Sequence, residues 1–459
     1  MVDEQGEDRA VSRRARTAKI AQVAARHTVR EAAGAVRRPF LDDDERRRAR
    51  DERVLRLADD LVETLGSMKG AAMKLGQIVS LLNFGISSAA ARDEFSRRLQ
   101  PLFSQARPVS TSAMLKVMDQ EWGAARGMVG HVDSEPMAVA SLGQVYRGVL
   151  DDGREVAIKV QYPWIKPAVR ADLKNLRLIV KLRSRVYPVQ GLEFVVDEVC
   201  RQIELELDYR QELVNHVEVH RSNRGHPVFH IPEPVVELCT DKILVTELVH
   251  GTALDAIGQL ATPDRDRIGE AIYRFYCGSL YRSGHFCADP HPGNIVIEDD
   301  GRVAFLDFGM FVRMTAAEID VERRAVRAAM DGDAHATHRY GREAGFIIDD
   351  NALPPEEALA YVRAAAGWYL LPGRTTITRK TVHRSLQEAM MPQSSFQDGI
   401  FAQQMPRNHA FSRRTEMSVA ALLGTLEATA SWHGIAREWI FGDAPSTDMG
   451  RTIALWQPA

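Results

Sequence analysis

The chain has 459 residues, with 59 Lys and Arg against 62 Asp and Glu, for a formal net charge of −3. Its 45 % hydrophobic and 26 % charged residues are those of an ordinary globular protein, long enough for two or three domains and a sizeable core. Wholesale disorder, a collagen-like or disulfide-rich scaffold and a dedicated nucleic-acid binder with a large basic excess are excluded.

Residues 1–50 are rich in Arg and Ala, with 13 Lys and Arg against 9 Asp and Glu, a local excess of +4. They read either as a solvated helical arm or as a contact with an anionic membrane surface. Charge begins at Asp3 and no apolar stretch follows, so no signal peptide is expected. From Asp51 to Phe84, Val54, Leu57, Leu61, Leu65, Met68, Ala72, Leu75 and Val79 recur at three- and four-residue steps, which predicts a helix. Lys74-Leu75-Gly76-Gln77 lies on it, and by position alone Lys74 is a snorkelling surface residue.

From about Met128 the texture becomes β-like. Val145–Val149 and Glu155–Val160 alternate and are joined by Asp151-Asp152-Gly153, a hairpin signal. Just upstream runs Ala138-Val139-Ala140-Ser141-Leu142-Gly143-Gln144-Val145. A kinase phosphate loop reads G-x-G-x-x-G-x-V. Gly143 and Val145 match it, while Ala138 and Ala140 replace the first two glycines. Each added Cβ costs about 1 kcal/mol in conformers that favour Gly, so the loop should be stiff. Exchanging Ala138 or Ala140 for Gly is expected to loosen it and alter nucleotide preference or permit autophosphorylation. Unchanged ATP and ADP affinities without autophosphorylation would count against this. Val156-Ala157-Ile158-Lys159 then supplies the strand whose Lys pairs with α- and β-phosphates in kinases.

Helical patterns follow over Pro167–Arg185 and Phe194–Arg221. In the second, Asp208, Glu212 and Asn215 fall at i, i+4 and i+7 and so share a face. Strands are expected near Val235–Leu238 and Ile243–Leu248. In a kinase-like chain Glu247 to Val249 would be the interlobe hinge, whose backbone meets adenine, with Thr246 as gatekeeper.

The block Gly284–Met310 carries most of the chemistry. Asp289 and Asn294 form D-x-x-x-x-N, and Asp307-Phe308-Gly309 follows. Between them Asn294–Ile297 and Val303–Leu306 flank Asp299-Asp300-Gly301, a second hairpin. This is the layout of a kinase catalytic loop and DFG strand. Mg²⁺ bridging phosphates needs hard oxygen ligands, here Asn294 and Asp307, with Asp289 as base or substrate-orienting group. From Thr315 onward only helices and loops are expected. Trp368-Tyr369-Leu370-Leu371 reads as core. No window is long and apolar enough for a transmembrane helix; Ser418–Trp432 comes nearest but is short and contains Glu427. The four cysteines (Cys200, Cys239, Cys277 and Cys287) contain no C-x-x-C pair and read as reduced thiols.

Taken together, these motifs resemble the UbiB family of atypical kinase-like proteins, the AarF-domain proteins linked to coenzyme Q biosynthesis. KxGQ at 74–77, the Ala-rich loop, the ExD pair Glu206 and Asp208, ADPHPGN at 288–294 and DFG occur in order, over roughly half the chain. The resemblance implies an α+β, two-lobed protein-kinase-like fold. A helical extension (1–125) would carry KxGQ, followed by a small lobe with inserted helices (126–250) and a helical lobe with its extension (251–459). It implies ATP or ADP with Mg²⁺, bound by Ala138, Ala140, Ser141, Gly143, Val145, Lys159, Glu247 and Val249, with Asn294 and Asp307 on the metal and Asp289 catalytic. Lys159 would pair with Glu212. Lys74 would pair with Glu206, and the KxGQ helix with Gln77 would bar protein substrates. The implied role is an ATPase or a small-molecule or lipid kinase serving isoprenoid-quinone or lipid metabolism in the cytoplasm or at a membrane surface, with a nucleotide-gated lipid-binding scaffold as the alternative. Cys287 stands where the family has His, Thr246 where a bulky Met is common, and no APE motif follows DFG. The C-terminal transmembrane helices of many bacterial members have no counterpart among the motifs. An aminoglycoside- or choline-type phosphotransferase shares D-x4-N but not KxGQ or the Ala-rich loop.

Overall fold

The computed structural model describes residues 109–140, 142–186, 203–256, 260–348, 353–390 and 406–457, with ten single residues outside those spans. Lys74, Gln77 and Ser141 lie outside the described residues, as does nearly all of the helix expected over 51–84. The chain divides into two compact units. One holds the residues up to Gly127 with His131–Arg147 and Ile158–Leu207; the other holds Met128–Gly130, Gly148–Ala157 and Asp208–Ala459.

In the first unit, helix α1 (Thr111–Trp122) buries Met114, Val117, Met118 and Trp122, the i, i+3, i+4, i+8 stripe of an amphipathic helix. Strand β1 (Val129–Val132) leads to β2 (Ala138–Val139), which pairs antiparallel with β3 (Gly143–Leu150), Ala138 opposite Val145 and Val139 opposite Gln144. The Ala-rich segment is therefore a hairpin. Strands β3 and β4 (Glu155–Gln161) alternate: Gln144, Tyr146 and Leu150, like Val156, Ile158 and Val160, are buried. Lys159 consequently stands on the opposite face of its strand, half-buried beside Ala157. Helix α2 (Ile165–Val186) matches the helix expected over Pro167–Arg185.

In the second unit the Asp-Asp-Gly turn closes β3 on β4, with Gly153 in the left-handed region at φ 88°. The Leu248 amide donates to Glu155 O at the start of β4. Helix α3 (Tyr209–Ser222) begins only after Asp208. The single helix expected over Phe194–Arg221 is thus broken at Leu207–Asp208. The Asp208 carboxylate accepts from the Arg210 and Gln211 amides, so a capping interaction outcompetes helix continuation. Asp208 therefore caps α3 instead of sharing a face with Glu212 and Asn215.

Strand β5 (Phe229–His230) is followed by a 3₁₀ turn at Val236–Leu238, where a strand was expected. Glu233 to Val235 pair with β6 (Ile243–Glu247), and the Leu238 amide then turns back to Val235 O. Strand β7 (Thr252–Ala253), helix α4 (Thr262–Tyr273), a π-turn at Arg274–Gly278, helix α5 (Ser279–Ser283) and β8 (His285–Cys287) follow. Strands β9 (Ile295–Ile297) and β10 (Val303–Phe305) form the hairpin expected from Asp299-Asp300-Gly301, and β11 (Phe311–Arg313) follows. The sheet order is β5-β10-β9-β7, with β8 and β11 as a separate pair.

Helices α6 (Ala316–Asp331), α7 (Ala334–Glu343) and α8 (Pro355–Leu370), strand β12 (Thr375–Thr376), helices α9 (Arg379–Met390) and α10 (Arg407–Leu426), strand β13 (Thr429–Ala430), and helices α11 (Trp432–Ile440) and α12 (Asp448–Leu455) complete the unit. The short β12–β13 pair departs from the all-helical expectation. Trp368, Tyr369 and Leu370 are core as expected; Leu371 is exposed. Tyr273 is the centre of this core, with the Trp368, Trp432 and Trp439 rings 5.2, 5.6 and 5.3 Å away. No helix among the described residues is long and apolar enough to cross a membrane, and all four cysteines are free thiols.

Candidate active site

Two antiparallel pairings build the site. In β9–β10, Ile295 faces Phe305, and one step further the Leu306 amide donates to Asn294 O at 3.0 Å. Asn294 is thereby opposite Leu306, and Asp307 follows at once. In β8–β11, Cys287 faces Phe311 and the Ala288 amide donates to Met310 O at 2.9 Å. Asp289 is thereby level with Gly309. The two pairings bring Asp289, Asn294 and Asp307 round one loop although the chain separates them. Burial pushes the Cys287 thiol up, so it stays a neutral core group.

The Asp307 carboxylate accepts from the Gly309 amide at 3.0 Å, which sets the turn of the DFG segment. Helix α3 holds that segment from the other side. Asn215 Nδ2 donates to Phe308 O at 2.9 Å, and the His216 ring packs on the Phe308 ring at 4.5 Å. Glu212, 3 % exposed, points the same way: its Oε2 is 3.6 Å from where a Cβ on Gly309 would stand. Arg313 Nη2 donates to Asn215 Oδ1 at 3.2 Å, tying β11 to the same helix. The helical face predicted at Glu212 and Asn215 therefore meets DFG. Nothing in the linear spacing marked His216 or Arg313.

Asp289, Asn294 and Asp307 are all half-buried and offer hard oxygens. Among the described residues no group of three or more His, Cys, Asp and Glu forms a closed metal cage. One carboxylate and one carboxamide suit Mg²⁺, which keeps waters and takes its remaining ligands from phosphates. Asn294 and Asp307 would be its protein ligands.

Lys159, Ala138, Ala140, Gly143, Val145 and Glu206 belong to the first unit; Glu247 and Val249 belong to the second. The Ala140 amide donates to Gly143 O at 2.9 Å, closing the hairpin. The Glu247 amide donates to Glu233 O at 2.8 Å. Its carboxylate takes the Glu233 amide at 3.2 Å and His230 Nε2 at 3.3 Å. The His230 contact holds the Glu247 carboxyl below its ordinary value and raises the imidazole.

The far helix α10 completes the site. Arg414 Nη2 lies 3.9 Å from Asp289 Oδ1, and Arg414 Nη1 lies 3.6 Å from Met310 Sδ. The adjacent side chains anchor the helix. Arg413 Nη2 donates to Glu322 Oε2 at 2.7 Å and Arg413 Nη1 meets Glu416 Oε2 at 2.9 Å. His409 Nδ1 and Ser412 Oγ also bond Glu322, at 2.8 and 3.2 Å. Two buried carboxylates thus share one guanidinium. Burial would raise both; Arg413, with His409 and Ser412, overcomes it at Glu322 and holds that carboxyl low. At Glu416 burial prevails, and its carboxyl is pushed up to about 7.

Between about 4.5 and 7 the folded chain keeps a proton on Glu416 that the unfolded chain releases. Stability contributed by this group therefore falls as pH rises through that window and is level above it. Glu416→Gln, which keeps an acceptor for the Tyr369 hydroxyl (3.2 Å), should remove this slope and raise stability above pH 7 by about 1–3 kcal/mol. Melting temperatures of both proteins from pH 4.5 to 8.5 check this; parallel curves refute it.

A D-x4-N loop and a DFG segment joined by two short pairings, with a helix-borne Glu and Asn beside DFG, define a protein-kinase-like site on an α+β, two-lobed fold. The chain belongs to the ABC1 atypical kinase-like family, whose model matches residues 101–340, and so to the UbiB/AarF proteins its motifs resemble. It is 30 % identical to the rat atypical kinase COQ8B, mitochondrial, over 63 % of this chain and 54 % of that protein. It is 27 % identical to the Caenorhabditis elegans atypical kinase coq-8, mitochondrial, over 84 % of this chain and 52 % of that one. The chain spans about half the length of these curated relatives. A solved structure, the complex of Rv3197 with erythromycin from Mycobacterium tuberculosis, matches with a TM-score of 0.62 at 29 % identity, over 84 % of this chain and 96 % of that one.

Proposed function

We propose that the protein is a Mg²⁺-dependent, ATP-binding atypical kinase or ATPase that supports isoprenoid-quinone or other lipid metabolism. The observation that carries the nucleotide chemistry is the double pairing that puts Asp289 beside Gly309 and Asn294 beside Leu306–Asp307. Asn294 and Asp307 would hold Mg²⁺, and the metal when bound would neutralise charge on the phosphates. Lys159 would meet the α- and β-phosphates, Gly143 and Val145 would cover them, and Glu212 would orient Lys159. Asp289 would take the proton of the acceptor hydroxyl or water. The Lys74–Gln77 helix would restrain phosphorylation of proteins in trans, with Glu206 as partner of Lys74. The names of the COQ8 relatives support the quinone or lipid role. The test uses purified protein with Mg²⁺ and ATP or ADP, with and without quinone-headgroup compounds or lipid vesicles. Nucleotide-dependent thermal stabilisation and phosphate release are expected; neither appearing under any condition overturns the reading.

The erythromycin complex of the structural relative supports a second reading, a nucleotide-gated binder of a bulky lipophilic ligand. On that reading, binding of a macrolide or a lipid analogue depends on Mg²⁺ and ADP or ATP while turnover is dispensable. Equal ligand affinity with and without nucleotide would exclude it.

A further inference from the structure

The catalytic-loop segment Ala288-Asp289-Pro290-His291-Pro292-Gly293-Asn294 contains no Lys or Arg. Its histidine turns Nδ1 onto the Gly293 amide at 3.1 Å and serves the turn. Phosphoryl transfer nevertheless places growing negative charge on the γ-phosphoryl oxygens beside the catalytic carboxylate, and a fixed cation there lowers the barrier. The geometry points to Arg414, on helix α10, as the cation that contacts the γ-phosphoryl group beside Asp289. This rests on the nucleotide reading proposed above and adds a residue to that site.

Three observations support it. The guanidinium reaches both sides of the site, 3.9 Å from Asp289 Oδ1 and 3.6 Å from the sulfur of Met310, the residue after DFG. It is partly open, with 28 % side-chain exposure against 30 % for Asp289, so a phosphate can approach both. The helix is also held in register by its neighbouring residues. Arg413, His409 and Ser412 all grip Glu322, whose side chain is 1 % exposed, and Asn408 Nδ2 donates to Glu318 Oε1 at 3.0 Å. A planar guanidinium on an anchored helix presents two donors to phosphate oxygens. In the reaction, the acceptor oxygen bonds to the γ-phosphorus and the bond to the bridging β,γ-oxygen breaks. Its electron pair leaves on ADP, and Asp289 takes the acceptor proton. Arg414 would donate to two of the equatorial oxygens throughout and give up no proton.

The experiment compares Arg414→Gln with wild type and with the surface control Arg324→Gln. Affinities are measured for Mg²⁺ with ADP and with a non-hydrolysable ATP analogue, alongside ATP turnover. A γ-phosphate contact predicts that Arg414→Gln binds ADP as wild type does, loses about tenfold in analogue affinity and loses about 100-fold in kcat. Arg414→Lys, which keeps the charge but not the fork, should recover part of both losses. If Arg414→Gln does not fold, Arg414→Lys carries the comparison, with a smaller loss confined to the triphosphate. Equal effects on ADP and analogue, or none on either, overturn the inference while the nucleotide reading stands. A wild-type chain that binds neither nucleotide overturns both.

Discussion

Asp307→Asn is expected to lower ATP turnover by at least about 100-fold and to leave the fold intact. The asparagine keeps an oxygen for the Gly309 amide, which Asp307 accepts at 3.0 Å, so the DFG turn survives. The Asn215 to Phe308 bond and the His216–Phe308 contact lie on the backbone and on a neighbouring ring, and neither needs the carboxylate charge. What is lost is the single anionic oxygen donor that pairs with the carboxamide of Asn294 at the proposed Mg²⁺ site. Wild-type melting temperature without nucleotide, absent stabilisation by Mg²⁺ and ADP, and lost phosphate release would together establish this. Undiminished turnover refutes the role of Asp307. In cells, a chain that acts by catalysis should fail with this variant and accumulate quinone or lipid precursors. One that acts by gated binding should fail only to the extent that nucleotide affinity falls.

Gly143→Ala is the second large expected effect, and it acts on the fold. A Cβ at this position would stand 2.0 Å from Val160 O and 2.8 Å from Val160 C. Both are backbone atoms of β4, and the chain is held there on each side. The Tyr162 amide donates to Leu142 O at 3.0 Å, and Gln161 Nε2 donates to Leu207 O at 3.0 Å. No side chain can swing away to relieve the clash, so the strand must move. The cost should reach at least about 3 kcal/mol, at the upper end for overpacking. Urea unfolding followed by a probe on the first unit measures it, and a loss under about 1 kcal/mol would show that the strands separate easily. The effect contrasts with the loop alanines. The last glycine of the loop is needed for close approach of two strands, whereas Ala138 sits exposed on β2.

Local patterns mark many of these elements. The Asp-Asp-Gly turns named both hairpins because only Gly suits their left-handed last position, φ 88° at Gly153 and at Gly301. Alternation marked β3 and β4, and the helical pattern over Pro167–Arg185 marked α2. Such patterns break where a side chain competes with the backbone. Periodicity ran through Asp208, but a carboxylate that can bond two amides ends one helix and starts the next. At Val236–Leu238 an apolar run with one paired residue folded into a turn.

By itself the order of residues determined the chemistry on offer: a D-x4-N loop, DFG, a strand lysine, and spacings set by the fixed geometry of hairpins and helices. Those are near-neighbour properties, and a one-dimensional pattern records them. Only the tertiary structure decided which distant groups meet: Asn215 at the Phe308 carbonyl, Arg414 at Asp289, and Glu322 at Arg413, His409 and Ser412. Such contacts depend on how helices pack against the core, where burial changes both the reach and the charge of a side chain. Position 416 is an ordinary glutamate in the sequence and a carboxyl near neutrality in the fold, because burial removes the water that would ionise it.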